Sequence, residues 1–363
     1  MNGTTRTTDY LFQVYRTLIA VFLALVLGFV ITCFVSEMPL EAFGNFLLGP
    51  LTSVRRFGNV IEAAIPLVFT GLAVAIVFQA SQFNIGAEGQ FFMGAVAAVI
   101  VGIVLPLPGV IHVLVCLAAA MAAGALCGWI PGVLKARLGA SELVSSLMLN
   151  YVYFRLGVYV INYHFRDKEA GALVSWPVRE TSWLHQFLQP TRIHWGILVV
   201  AAAVVFVYLF LYRTRWGYAL RMTGLNINFA RYAGISTASV IVYSQVLGGA
   251  IAGLGGAVEM LGIHRRFIWM MMPGYGWDGI IVAILARNNP LGVVLGALFL
   301  AYMRTGADIM ARMTDVSAEM VTVIQGVMIL LVTAQAFLAG WRHRIVVREA
   351  TRRKEVPQSE GAA

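Results

Sequence analysis

The sequence is dominated by long runs of apolar residues, each close to the length that crosses a lipid bilayer as a helix. A helix needs about 20 apolar residues to span the hydrocarbon core. Ten such runs lie at about 18–35, 60–79, 90–105, 110–131, 142–161, 194–212, 238–262, 276–286, 291–304 and 320–340. The fold class this predicts is all-α, a polytopic membrane protein of about ten transmembrane helices. Composition agrees: 60% of the residues are hydrophobic, 12% are charged, and the mean hydropathy is +0.80. Soluble domains carry about 25% charged residues. So large an apolar excess excludes a soluble globular protein, a disordered chain and a disulfide scaffold.

The eighth run is too short for an ordinary span. It follows MMMPGYGW (270–277), so a broken or partly re-entrant segment is expected there. Such backbone is tolerated at membrane depth only where protein or a water-filled cavity surrounds it. The first run lacks a small-x-small cleavage site before Ser36 and is expected to stay as an uncleaved helix. With the N-terminus inside, fifteen basic residues fall on inside segments and ten on outside ones. This bias favours both termini inside. The net charge of +9 is dispersed through loops and a tail, which gives no basic face for nucleic acid. No linker interrupts residues 1–341, which are expected to form one membrane domain, while 342–363 form a basic, flexible tail. Cys33, Cys116 and Cys127 sit in apolar runs without metal-ligand spacing and are expected to be small core residues.

Two connections are long. Residues 162–193 form an outside loop in which Pro177 and Pro190 break any helix. Residues 213–237 form an inside loop punctuated by Gly217, Gly224 and Gly234, where Tyr218, Leu220, Leu225, Phe229 and Tyr232 are candidates for one apolar side. Such a segment suits either docking on a cytoplasmic protein or resting on anionic lipid.

Polar groups at membrane depth are costly and mark candidate function. In SQFNIGAEGQFFMGA (81–95), Asn84, Glu88 and Gln90 border apolar helices. Either Asn84 caps a helix with Glu88 in its first turn, or these groups line a polar pathway. Asn150, Gln245 and Glu259 join them as pathway candidates. Gly249, Gly253 and Ala257, Ala252 and Gly256, and Ala120, Gly124, Gly128 and Gly132 recur every four residues, the spacing of a close-packing ridge. Phe267, Trp269, Tyr275 and Trp277 are either an interfacial belt or a stacking surface for a flat ligand. The sequence has no G-x-x-x-x-G-K-[ST] phosphate loop, no paired-cysteine or H-E-x-x-H metal site and no nucleophile elbow. If the chain takes part in active transport, the energy source is either an ion gradient or an ATPase on another chain.

Four motifs in order, FNIGAEGQ (83–90), GLNINFARYAGI (224–235), GGAIAGLGGAVEMLG (248–262) and GYGWDGIIVAILARNNPLG (274–292), resemble the membrane subunits of bacterial ABC importers. The likeness is to the ribose-type permease superfamily, of vitamin-B12/ribose architecture, and within it to nucleoside and simple-sugar permeases. It covers about residues 60 to 340. Two departures are the residues around Ile227, where relatives usually carry a proline or a small residue, and Trp277 in place of the commoner phenylalanine. The resemblance implies a multi-pass protein of the bacterial inner membrane, not itself an enzyme. It implies an ABC ATPase subunit carrying ATP and Mg, a second permease subunit (often a paralogue), an extracytoplasmic binding protein, and no cofactor or metal on this chain. It also implies that the inside loop couples to the ATPase through Gly217, Leu220, Gly224, Asn226, Ala230, Arg231 and Gly234. Asn84, Glu88, Gln90, Asn150, Gln245, Glu259 and Trp277 are then the translocation candidates, for a nucleoside or a pentose-type sugar. An ion-coupled secondary transporter remains the rival reading, with Glu88 and Glu259 available as carriers.

Overall fold

The computed structural model describes residues 22–330. Among these the regular structure is helical, with two isolated antiparallel bridges, Arg166 to Ser175 and Gln186 to His194, in the loop after the sixth helix. In chain order the helices are α1 (Phe22–Val35), α2 (Pro39–Leu48), α3 (Val54–Gln79), α4 (Ala87–Val104), α5 (Gly109–Leu138), α6 (Glu142–Val160), α7 (Gly196–Arg213), α8 (Arg215–Leu225) and α9 (Ile227–Tyr232). They continue with α10 (Thr237–Glu259), α11 (Tyr275–Leu285), α12 (Pro290–Met313) and α13 (Ala318–Leu330). Both α6 and α10 run on through a π turn, Ile161–Phe165 and Met260–His264 respectively.

Each of the ten apolar runs lies on a helix as far as the described residues extend. Seven helices are long and apolar enough to cross a membrane: α3, α4, α5, α6, α7, α10 and α12. The apolar helices α1, α11 and α13 are shorter as described. The expected tail at 342–363, and the ends of the first and tenth runs at 18–21 and 331–340, lie outside the described residues.

The chain divides into two compact units, Phe46–Gly306 and the combination of Met1–Asn45 with Ala307–Ala363. In the smaller unit, Asp315 accepts hydrogen bonds from the Ser36 hydroxyl at 2.6 Å and the Glu37 N–H at 2.7 Å. These donors hold its carboxyl below the usual range. Cys33 is exposed on α1, against expectation, whereas Cys116 and Cys127 are buried. An apolar run specifies a helix but not which of its faces turns inward.

In the larger unit α3 and α10 are central: 83% and 78% of their most apolar windows are buried, against 28% for α6 and for α7. The outer helices expose Leu114, Leu126, Val152, Leu156, Phe206 and Leu209, a density of apolar side chains suited to lipid rather than water. α10 is wedged between α4 and α5 through its small residues. A Cβ on Gly249 would collide with the Gly124 carbonyl oxygen, one on Gly253 with the Ala120 carbonyl, and one on Gly256 with the Phe91 carbonyl. The ridges read from the sequence therefore face each other, backbone on backbone.

The loop after α6 is tied down by its own main chain. The Val178 N–H donates to the Arg265 carbonyl at 2.9 Å, Leu184 to Leu261 at 3.0 Å, and Arg179 to Gly102 at 3.0 Å. The Arg265 guanidinium lies 4.1 Å from the Trp183 ring centroid. Just before α7, the fully buried His194 accepts the Gly196 N–H through Nδ1 at 3.1 Å and packs on Gly262. Burial pushes its imidazole down to about 4.

Two outcomes are expected. Gly249→Leu should lower the thermal stability of the purified protein in detergent by about 1–3 kcal/mol or prevent its accumulation. Gly44→Ala, at a helical site with open space around it, should leave stability unchanged or slightly raised. For His194, the unfolded chain binds the proton near pH 6.5 and the folded chain only near 4. Its contribution is therefore intact above pH 6.5 and lost on acidification toward 4, by at most about 1.4 kcal/mol per pH unit. Melting curves of wild type and His194→Gln between pH 7 and 4 should converge as the pH falls.

Candidate functional site

The polar residues singled out from the sequence gather at three places in the larger unit. The first is the turn that leads into α4. Asn84 accepts the Gly86 N–H at 2.5 Å and donates through Nδ2 to the Gln245 side-chain carbonyl on α10. From α6, Ser146 Oγ accepts the Ile85 N–H at 3.1 Å. Asn150 donates to the Ile85 carbonyl and accepts the Gly89 N–H, both at 3.0 Å. Gln90 lies beside Gly86. Asn84, Gln90, Asn150 and Gln245 are all buried, and the Nε2 groups of Gln90 and Gln245 find no partner among the described residues. Two buried amide donors without acceptors are costly and mark a place where a polar ligand or water gains hydrogen bonds.

The second place is the N-terminus of α11. That helix has 11 residues and starts inside the protein, after Gly274 turns the chain at φ 85°. The Glu88 carboxylate, fully buried on α4, accepts the Gly274 N–H at 2.6 Å and the Gly276 N–H with its other oxygen. Glu88 is thus a helix cap, but for α11 rather than for its own helix. A Cβ on Gly276 would collide with the Glu88 main chain, which explains the glycine. Asp278, also in the first turn of α11, pairs with Arg304 of α12 at 2.5 Å. Two carboxylates at this terminus match the partial positive charge there. The Trp277 side chain is half-exposed.

The third place lies at the other end of α10. Glu259 is buried; its Oε1 accepts the Tyr275 hydroxyl at 3.3 Å and faces His264 Nε2 at 3.5 Å, while Oε2 has no partner. Glu62 on α3 lies within electrostatic reach of Arg192, Glu259 and His264, and its Oε2 is likewise buried without a partner. Next to them the rings of Phe91, Trp269 and Tyr275 meet at 5.3 to 6.4 Å between centroids. Glu62 is absent from the candidates read from the sequence, although an acid within the run 60–79 is the same signal that picks out Glu88. His264 and Phe91 carried no such signal, because only the fold brings them to Glu259 and Tyr275.

Residues 213–237 form α8 and α9. Thr214 caps α8 by accepting the Gly217 N–H at 3.0 Å, and Asn226 caps α9 by accepting the Asn228 and Phe229 N–H groups, each at 3.0 Å. Gly217, Leu220 and Gly224 share one face of α8, at spacings of three and four. A Cβ on Gly217 would strike the Phe210 carbonyl, and one on Gly224 the Gln79 carbonyl, while Leu220 is fully buried. Ala230 is buried, Arg231 donates to Thr237 Oγ1 at 3.2 Å, and Gly234 ends α9 at φ 78°. The single apolar side expected of this loop divides in two. Leu220 faces the protein, whereas Tyr218, Leu225, Phe229 and Tyr232 are exposed. The close contacts at Gly217 and Gly224 set which face of α8 turns inward. Beside α8 are two clefts, of about 450 Å³ at Gln79, Tyr212, Arg221 and Asn288, and of about 380 Å³ at Ser81, Thr223 and Asn226.

Replacing Glu88 by alanine would leave the Gly274 and Gly276 N–H groups buried without an acceptor. A loss of about 2–3 kcal/mol is expected in detergent melting curves, with Glu88→Gln, which keeps one acceptor, losing less. Equal loss in both variants would show that the carboxylate is not acting as the cap.

Comparison with known proteins gives consistent matches. A family model described as "Branched-chain amino acid transport system / permease component" matches residues 56–333. The guanosine ABC transporter permease protein NupP of Bacillus subtilis is 34% identical over 320 residues, covering 87% of this chain and 92% of that protein. The glucose ABC transporter permease protein TsgB13 of Haloferax volcanii is 33% identical over 338 residues, covering 89% and 88%. The nucleoside ABC transporter permease protein NupB of Lactococcus lactis is 28% identical over 367 residues, covering 98% and 99%.

Proposed function

We propose that this chain, which belongs to the family of branched-chain amino acid transport system permease components, is the membrane subunit of an ATP-driven ABC importer for a small, neutral, polar solute, a nucleoside first among the candidates. The observation that carries the substrate class is its likeness, over most of both chains, to permeases named for guanosine and for nucleosides. The Haloferax volcanii relative, named for glucose, supports a simple-sugar importer as the second reading. Guanosine, other ribonucleosides and glucose share one chemical feature, a pair of vicinal hydroxyls.

In this proposal the chain crosses the inner membrane ten times with both termini in the cytoplasm. Residues 1–341 are the permease domain and 342–363 a basic cytoplasmic tail. ATP and Mg reside on an ABC ATPase subunit, a second permease subunit completes the membrane part, and an extracytoplasmic binding protein delivers the solute. α8 and α9 are the coupling element. Gly217, Leu220 and Gly224 anchor it to the ends of α7 and α3, Asn226 and Gly234 bound α9, and Ala230 and Arg231 hold α9 toward the start of α10. The exposed Tyr218, Leu225, Phe229 and Tyr232 offer an apolar surface to the ATPase. A push on this element is transmitted to α3 and α7 because backbone touches backbone there, and tightly packed helices shift as rigid bodies. The buried amides of Asn84, Gln90, Asn150 and Gln245 supply hydrogen bonds along the pathway without charge, which suits a neutral solute. Glu88 is engaged as a cap, which weakens the ion-coupled alternative.

Gly224→Trp forces α8 off the Gln79 carbonyl. In proteoliposomes holding the assembled importer, this variant is expected to keep ATP hydrolysis while losing nucleoside uptake. Wild-type uptake should follow ATP and persist when the proton gradient is collapsed. Normal uptake by the variant would remove the coupling role, and loss of wild-type uptake on collapsing the gradient would favour the secondary transporter.

A further inference from the structure

Outside the coupling element and the α4 turn, buried acids of α3 and α10 come together beside a cluster of rings. Glu259 is 3% exposed, both contacts to its Oε1 are long, and its Oε2 has no partner. Glu62 brings a second buried, unpartnered carboxylate oxygen into the electrostatic neighbourhood of Glu259, His264 and Arg192. Leaving such oxygens dry and unpaired is unfavourable, so the arrangement calls for a partner that donates hydrogen bonds. The Arg192 guanidinium nearby disfavours a bare metal cation, and no group of three or more metal-ligating side chains comes together among the described residues. Neutral O–H donors meet no such repulsion. Phe91, Trp269 and Tyr275 add a ring surface beside the acids, and Tyr275 belongs to both parts, since its hydroxyl bonds Glu259 while its ring stacks with Phe91 and Trp269.

We propose that Glu62 and Glu259 form a subsite that accepts the two hydroxyls of a vicinal diol, with Phe91, Trp269 and Tyr275 supporting the adjoining flat face of the solute. The two oxygens of a carboxylate can each take one hydroxyl of a cis pair, and the rings take a base or the apolar face of a sugar. The subsite rests on the importer reading above and adds to it the chemical group that is recognised and the residues that recognise it. A site built to bond hydroxyls discriminates strongly against an analogue without them, because its acceptors are then left buried and unpaired.

The test is uptake into cells carrying the complete importer. Two ligand pairs are compared: a ribonucleoside with its 2′,3′-dideoxy counterpart, and ribose with 2,3-dideoxyribose, whose ring forms carry no adjacent hydroxyls. Wild type should favour the diol-bearing member by at least about tenfold. Glu259→Gln and Glu62→Gln should each narrow the ratio of uptake between the diol-bearing ligand and its deoxygenated partner. Equal wild-type uptake of both members of a transported pair overturns the subsite, a result independent of whether any variant folds. Full retention of the preference in Glu259→Gln also overturns it, because the discrimination then lies elsewhere, for instance on the binding protein. If the sugar pair is transported and the nucleoside pair is not, the nucleoside reading fails, and the diol subsite stands or falls on the sugar pair alone.

Discussion

The interaction on which the larger unit depends is the cap that Glu88 places on α11. A helix that begins inside an apolar protein presents N–H groups with no water to satisfy them. Gly274 and Gly276 direct two of them at the Glu88 carboxylate. The carboxylate in turn is tolerable in a fully buried position because it accepts those bonds and sits at the positive end of a helix. The first turn of α11 is thereby tied on three sides: to Glu88 of α4, through Tyr275 to Glu259 of α10, and through Asp278 to Arg304 of α12. A helix of 11 residues, too short to span a bilayer, thus becomes a fixed part of the interior.

The packing of α10 joins that local arrangement to α4 and α5. Gly249, Gly253 and Gly256 bring its main chain against α5 and α4, leaving no soft layer of side chains between them. α10 also carries Gln245 toward the α4 turn and Glu259 toward α11. A displacement of α10 relative to its neighbours therefore changes both polar places together. At α8 the same device recurs, since Gly217 and Gly224 rest on the carbonyls of Phe210 and Gln79. In an ATP-driven permease, close backbone contacts of this kind are a means of passing force from a surface element to the interior without loss in flexible side chains.

Particular residues show where sequence reasoning reached and where it stopped. The glycine ridges were visible as a spacing of four, and their packing role follows from that spacing. Glu88 is visible as an acid beside apolar helices, and one reading places it in the first turn of a helix capped by Asn84. The helix it caps, nearly two hundred residues away, was not visible. Leu220, Tyr218, Leu225, Phe229 and Tyr232 are all apolar, yet only Leu220 is buried. Polarity says that a face is apolar, whereas the contact that selects the inward face is made by neighbouring glycines whose partners lie on other helices.

From the sequence alone one can derive an all-helical chain built for lipid, the interruption before residue 276, the close-packing ridges and the membership suggested by four ordered motifs. These rest on composition and on periodicities a few residues long, which are local quantities written directly in the chain. Only the tertiary structure decided that Glu88 serves α11, that Glu62, Glu259 and Tyr275 share one neighbourhood, and that α8 turns Leu220 inward. These are pairings between segments far apart in sequence, set by which backbones can approach most closely, and no local pattern encodes the partner of a contact made across the fold.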